Sequence, residues 1–136
     1  MNQPKTNKLE DSKLWHEAVS VMERAYTLSQ EFPEESQYTL TYKLRGRSFD
    51  LTQAVAEAEG ANGPRDIEWF YSQARTALFA MKNAYHVARK TEVFKVDPKE
   101  VVRINKLLEQ VDEQIAAAHA DVLVLEQEEM KRRSLA

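Results

Sequence analysis

Apolar residues recur along most of the chain at steps of three and four, the spacing that gathers them on one side of an α-helix. Four such segments stand out. The first predicts a helix from about Ser12 to Glu31, with Trp15, Ala18, Met22, Ala25 and Tyr26 in register and Leu14, Val21 and Leu28 beside them. Asp11 or Ser12 can cap its start, and Phe32-Pro33 stops it because the residue before a proline avoids the α region. The second runs from about Glu35 to Glu59, with Leu40, Leu44, Leu51, Val55 and Ala58 on one stripe. Gly46 inside it costs about 1 kcal/mol against Ala and marks a place where the helix can kink.

Gly60-Ala61-Asn62-Gly63-Pro64 is the clearest break in the pattern. Pro64 suits the first position of the third helix, where its missing N–H does no harm. That helix reaches about Lys90 through a heptad-like series, Ile67, Phe70, Ala74, Leu78, Met81, Tyr85 and Ala88. Asp97-Pro98-Lys99-Glu100 opens the fourth helix, with Asp97 as cap, proline first, and Glu100 placed for a capping box. Val101, Ile104, Leu108, Val111, Ile115, Ala118, Val122 and Leu125 follow at unbroken steps of three and four. Near its end, Glu128–Arg132 and Glu129–Arg133 are spaced to pair across one turn.

Short connections between long helices predict antiparallel neighbours. The expected fold is therefore all-α, an antiparallel up-and-down four-helix bundle, with a flexible N-terminus over residues 1–10 and a single domain over residues 11–133. The breaks at Pro33, Gly60–Pro64 and Thr91–Pro98 oppose one long coiled coil.

Composition narrows the picture. Only 3 Gly and 4 Pro among 136 residues are too few for the turns of an all-β fold. The absence of Cys removes disulfides, thiolate metal sites and a cysteine nucleophile, and fits a reducing cytoplasm. No run of about 18 apolar residues is present to cross a membrane, and the polar stretch from Met1 to Lys8 is not expected to act as a signal peptide. Net charge is −3, which counts mildly against a dedicated nucleic-acid binder. Its distribution is uneven: eight bases and three acids lie between Arg75 and Lys106, then seven acids and no Lys or Arg between Leu107 and Met130.

Two of the expected helices are apolar on more than one side. Tyr38, Tyr42, Phe49 and Ala56 fall opposite Leu40, Leu44 and Leu51, while Trp69, Ala80 and Val87 fall about 100° or more from the stripe of the third helix. One reading is ordinary exposed apolar surface. The other is a homo-oligomer interface, with Tyr38, Tyr42, Phe49, Trp69, Phe79 and Val87 as its candidates, because grouped aromatics are typical of interface cores.

Catalytic chemistry does not assemble. His16, His86 and His119 lie on three different expected helices, and none has a Glu three residues before it, as a dimetal carboxylate bundle requires. No phosphate-binding glycine loop or nucleophilic serine motif is present. The chain is expected to be no enzyme and to use no metal, cofactor or small-molecule substrate. One constellation remains. Arg75, Lys82 and Arg89 are spaced by seven with Phe79 and His86 beside them, a pattern that can track phosphates and stack bases. Lys43, Arg45 and Arg47 form a second basic cluster. The simpler reading of both sets is long side chains that flank an apolar stripe, reach water or pair with acids.

From Leu14 to about Glu126 the chain resembles the small helical family named after proteins encoded in intervening sequences of bacterial 23S rRNA genes. The landmarks are Leu14-Trp15 with Ala18, Tyr26-x-Leu28 before Phe32-Pro33-x-Glu35, Leu40 with Arg45 and Arg47-Ser48, Glu59-Gly60, and Phe70-x-x-x-Ala74-Arg75-x-x-Leu78. The resemblance implies an up-and-down bundle, often assembled as a pentamer, without established catalysis. It also implies kinship in fold with the accessory variability protein of diversity-generating retroelements, which works with a reverse transcriptase and nucleic acid. The partners expected on this ground are further copies of the chain, RNA or DNA, or a reverse transcriptase. A structural adaptor with no nucleic-acid contact is the alternative.

Overall fold

The computed structural model describes residues 6–135, and every regular element among them is helical. A short helix α1 (Thr6–Asp11) leads into α2 (Lys13–Ser29). A single 3-10 turn, Glu34–Ser36, and a wider π turn, Gln37–Thr41, precede α3 (Tyr42–Gly60). Then come α4 (Pro64–Lys90) and α5 (Pro98–Leu135). The four helices expected from periodicity are α2 to α5. All of helix α1 but its last residue falls in the stretch expected to be flexible, and residues 1–5 of that stretch fall outside the described residues.

Local chemistry sets the boundaries. Ser12 caps α2, its hydroxyl oxygen accepting the Trp15 N–H at 3.1 Å. Ala61 turns to extended backbone after α3, and Pro64 opens α4 behind Gly63. Helix α4 closes with Glu92 in the left-handed region, at φ 59°, so that the Val93 N–H reaches back to the Ala88 carbonyl at 3.0 Å. The backbone departs from α geometry at Gln37–Thr41, and α3 runs through Gly46 without interruption.

Three expected local pairings at α5 are corrected. Asp97 does cap the helix, accepting the Lys99 N–H at 2.9 Å. Glu100, however, does not complete a capping box; it is 4% exposed and takes Arg24 of α2 at 2.7 Å. Tertiary pairing with a guanidinium outcompetes the local backbone N–H. At the far end Glu129 meets Arg65 of α4 at 3.3 Å, and neither intrahelical Glu–Arg pair forms within 4.0 Å.

The core joins all four long helices through Ala18, Leu44, Leu51, Leu78, Met81, Tyr85, Ile104 and Val111. Helix α3 packs on α2 and α4, and α4 packs on α5. Polar ties fix the relative positions of the helix ends. Ser12 donates to Glu59 Oε1 at 2.7 Å, and Tyr71 donates to the same oxygen at 3.3 Å. Glu59 thus joins the start of α2, the end of α3 and the start of α4. Arg45 Nε donates to Ser29 Oγ at 2.7 Å at the other end of the α2–α3 pair.

Candidate functional site

The basic stripe of α4 divides into a pinned part and an open part. Arg75 Nε donates to Asp112 Oδ1 of α5 at 2.8 Å, and its guanidinium lies 4.8 Å from the centroid of the Phe79 ring. The Lys82 ammonium is 5.8 Å from the same centroid. Two cations therefore engage the π cloud of Phe79, a ring that is 44% exposed. A base stacking there has to displace one of them or stack on the guanidinium itself. Arg75 behaves as the paired flanking residue of the simpler reading. Lys82 and Arg89 form no ion pair among the described residues, and neither do Lys90, Lys95, Lys99 and Arg103 nearby in sequence.

The second basic cluster is not brought together. At 100° per residue, Arg45 faces away from Lys43 and Arg47. Arg45 turns to α2, where it holds Ser29 and lies 5.4 Å from the Tyr26 centroid. Lys43 and Arg47 instead line a cleft of about 810 Å³ between α3 and the last turns of α4. Leu40, Ala80, Ala84, Val87 and Val93 supply its apolar surface, and Glu35 and Glu92 stand at it as well.

All six candidate interface residues are exposed, Tyr38 most of all at 81% and Trp69 at 61%. They do not share one face. Tyr42 and Phe49 lie on the outer side of α3, and Tyr38 lies in the π turn before it. On α4, Trp69 and Val87 lie toward α3, whereas Phe79 leans toward α5 with Arg75. Sequence reading missed a third exposed apolar stretch, Leu123 and Val124 on α5. The signal was present: Ile115 to Leu125 contains one charged carboxylate, Asp121, and apolar residues on both sides of the helix.

Other polar groups serve the fold. His119 Nδ1 is 2.7 Å from Glu68 Oε2, joining α4 to α5. No group of three or more metal-ligating side chains occurs among the described residues. Burial, followed by the nearby Glu59 carboxylate, raises the Tyr71 phenol well above its ordinary value. Burial and the Glu100 carboxylate do the same to Tyr85, with Arg24 opposing. No helix among the described residues is long and apolar enough to cross a membrane.

The family model described as 23S rRNA-intervening sequence protein matches residues 10–117, from the end of α1 to the middle of α5. That span covers most of the chain, and the chain belongs to this family. No curated protein sequence matches it. Within the matched span, Glu59-Gly60 has a structural role in this chain: the carboxylate ties three helix ends, and the glycine is the last residue of α3.

Proposed function

We propose that this member of the 23S rRNA-intervening sequence protein family is a non-enzymatic homo-oligomeric scaffold that binds nucleic acid or an enzyme acting on it. Its subunit is read as an antiparallel up-and-down four-helix bundle. Cross-helix pairs support that arrangement: Ser12 with Glu59 and Ser29 with Arg45 link opposite ends of α2 and α3. Arg65 with Glu129 and Arg75 with Asp112 run in opposite senses along α4 and α5, and Arg24 with Glu100 joins late α2 to early α5.

The observation that carries the nucleic-acid reading is the segregation of charge. Lys82, Arg89, Lys90, Lys95, Lys99 and Arg103 lie along the second half of α4 and the start of α5 without ion-pair partners among the described residues, against Glu92, Asp97 and the paired Glu100, while the acids from Glu109 to Glu129 follow along α5 with no Lys or Arg among them. An acidic protein with a stretch rich in unpaired bases can still attract phosphates there. The family description refers to an intervening sequence of 23S rRNA, which supports association with nucleic acid and names no contact. Homo-oligomerisation is supported by the exposed aromatics of α3 and α4.

Light scattering at micromolar concentration tests the assembly: a mass well above 15.7 kDa is expected, and a monomer mass contradicts it. Retention on immobilised RNA or DNA at about 50 mM salt tests the partner. The α3–α4 cleft favours a second reading, an adaptor that takes a partner helix into an apolar groove. Protein capture that survives Arg89→Glu and Lys82→Glu, with no nucleic-acid retention, is its signature.

A further inference from the structure

We infer that the α3–α4 cleft of one copy of the chain receives the outer side of α5 from a second copy, the two subunits standing side by side and pointing the same way. The inference rests on the homo-oligomer reading above and specifies the two surfaces and their orientation.

The cleft has the form of a seat for a helix. Leu40, Ala80, Ala84, Val87 and Val93 make its floor apolar. Ala80 and Ala84 are four residues apart on α4, and side chains this short let a second helix axis come close. The charges at the cleft are ordered. Glu35, in the 3-10 turn, and Glu92, just past α4, stand at one end; Lys43 and Arg47 follow, four residues apart on α3. All four are exposed, and none forms an ion pair among the described residues. A helix that fits carries a base, then apolar surface, then two acids four residues apart.

The outer side of α5 carries that order. Lys99, Val102, Glu109 and Glu113 lie on the side away from Ile104, Leu108 and Val111. Val102 is 51% exposed. The three charged residues are exposed as well and form no ion pair among the described residues. Arg103 and Lys106, the bases between them, turn instead to the α2 side, where they line a hollow with Glu17.

In an up-and-down bundle α3 and α5 run the same way, so subunits of like orientation bring the second copy's α5 parallel to α3. Lys99 then meets Glu35 and Glu92, Val102 rests on Leu40 and Val87, Glu109 meets Lys43 and Glu113 meets Arg47. Both charged pairs form together because the acids and the bases share a four-residue spacing. A reversed α5 sets Glu113 against Glu35 and Glu92, and Lys99 against Arg47. The contact continues past the cleft. Trp69 lies about three turns from Ala80 along α4, and Leu123 about three turns from Glu113 along α5. The Trp69 ring, 61% exposed, thereby reaches the exposed Ala120 and Leu123. The two surfaces are different, so the contact is heterologous, and side-by-side copies close as a ring. A ring is the class of assembly that the family resemblance implies.

The chain has no Cys, so introduced thiols report the geometry. Val87→Cys and Val102→Cys in one chain should give a ladder of covalent multimers on mild oxidation, because each copy then carries half of two contacts. Neither single variant should cross-link with itself, and an equimolar mixture of the two should stop at the dimer. Glu109→Lys should weaken association at least about fivefold, and adding Lys43→Glu should restore it. A doubly substituted chain that stops at the dimer, or a single variant that cross-links with itself, shows two-fold pairing and overturns the head-to-tail contact. An assembled wild-type chain whose substituted form gives no ladder, and which ignores the charge reversal, overturns this interface but leaves the homo-oligomer reading standing. A wild-type mass of 15.7 kDa overturns both.

Discussion

Arg24 on α2 donates through both Nε and Nη2 to a single oxygen, Oε1, of Glu100 on α5, at 3.1 and 2.7 Å. The two ends of this pair differ in their access to water. The Glu100 side chain is 4% exposed and that of Arg24 is 42% exposed. The carboxylate therefore depends on the guanidinium more than the guanidinium depends on it.

Arg24→Met should cost about 2–3 kcal/mol, because it leaves a buried carboxylate without its charged partner. The solvent-facing arginine keeps the loss below the range of fully buried pairs. Adding Glu100→Leu should recover most of the stability, since the orphaned charge is removed with it. Urea unfolding of the two variants checks the order; equal stability of Arg24→Met and wild type contradicts it.

Alkaline pH should destabilise the fold through Tyr71 and Tyr85. Both phenols are raised in the folded state by burial, so the folded chain holds their protons more tightly than the unfolded chain. Their contribution is complete below the ordinary tyrosine value of about 10 and is lost as pH rises above it. Tyr85→Phe should flatten this alkaline decline, measured as the urea midpoint between about pH 9 and 11. An unchanged slope in both Tyr85→Phe and Tyr71→Phe contradicts the assignment.

Glu92→Gly should stabilise the chain. Glu92 carries its side chain at φ 59°, a conformation that costs an L-residue roughly 1 kcal/mol and glycine almost nothing. The midpoint of thermal unfolding should rise by about 3–4 °C. A lower midpoint would show that the Glu92 side chain contributes more than the strain it bears.

Ser12→Ala should cost about 1–2 kcal/mol, since one hydroxyl both caps α2 and donates to Glu59. Ser12→Asp keeps the capping oxygen but sets a second carboxylate against Glu59, so it should also destabilise. An aspartate variant as stable as wild type means that capping alone accounts for the serine.

Much of the fold was legible because it is local. The heptad-like series of α4 and α5 needed only neighbouring residues, and Asp97 and Gly60–Pro64 carried their own punctuation. What escaped depends on distance in sequence. Glu100 read as a local cap because its partner, Arg24, lies 76 residues away. Arg75 was readable either as a phosphate contact or as a flanking residue paired with an acid, and the acid that decides it, Asp112, stands on another helix. The separation of Arg45 from Lys43 and Arg47 was available from helical geometry, as two residues turn a helix by about 200°. The exposure of Leu123 and Val124 was harder, because the buried stripe of α5 runs through Val122 beside them.

The most direct measurement on the proposed function is the salt dependence of binding to a labelled single-stranded RNA. Engagement of three to five cations at the end of α4 and the start of α5 gives log affinity a slope of about −2 to −3.5 against log salt. Combining Lys82→Glu with Arg89→Glu should weaken binding at least about tenfold and make that slope shallower. Arg75→Glu should act less through lost phosphate contact, because Arg75 already pairs with Asp112. No detectable binding by the wild-type chain at about 50 mM salt contradicts the account.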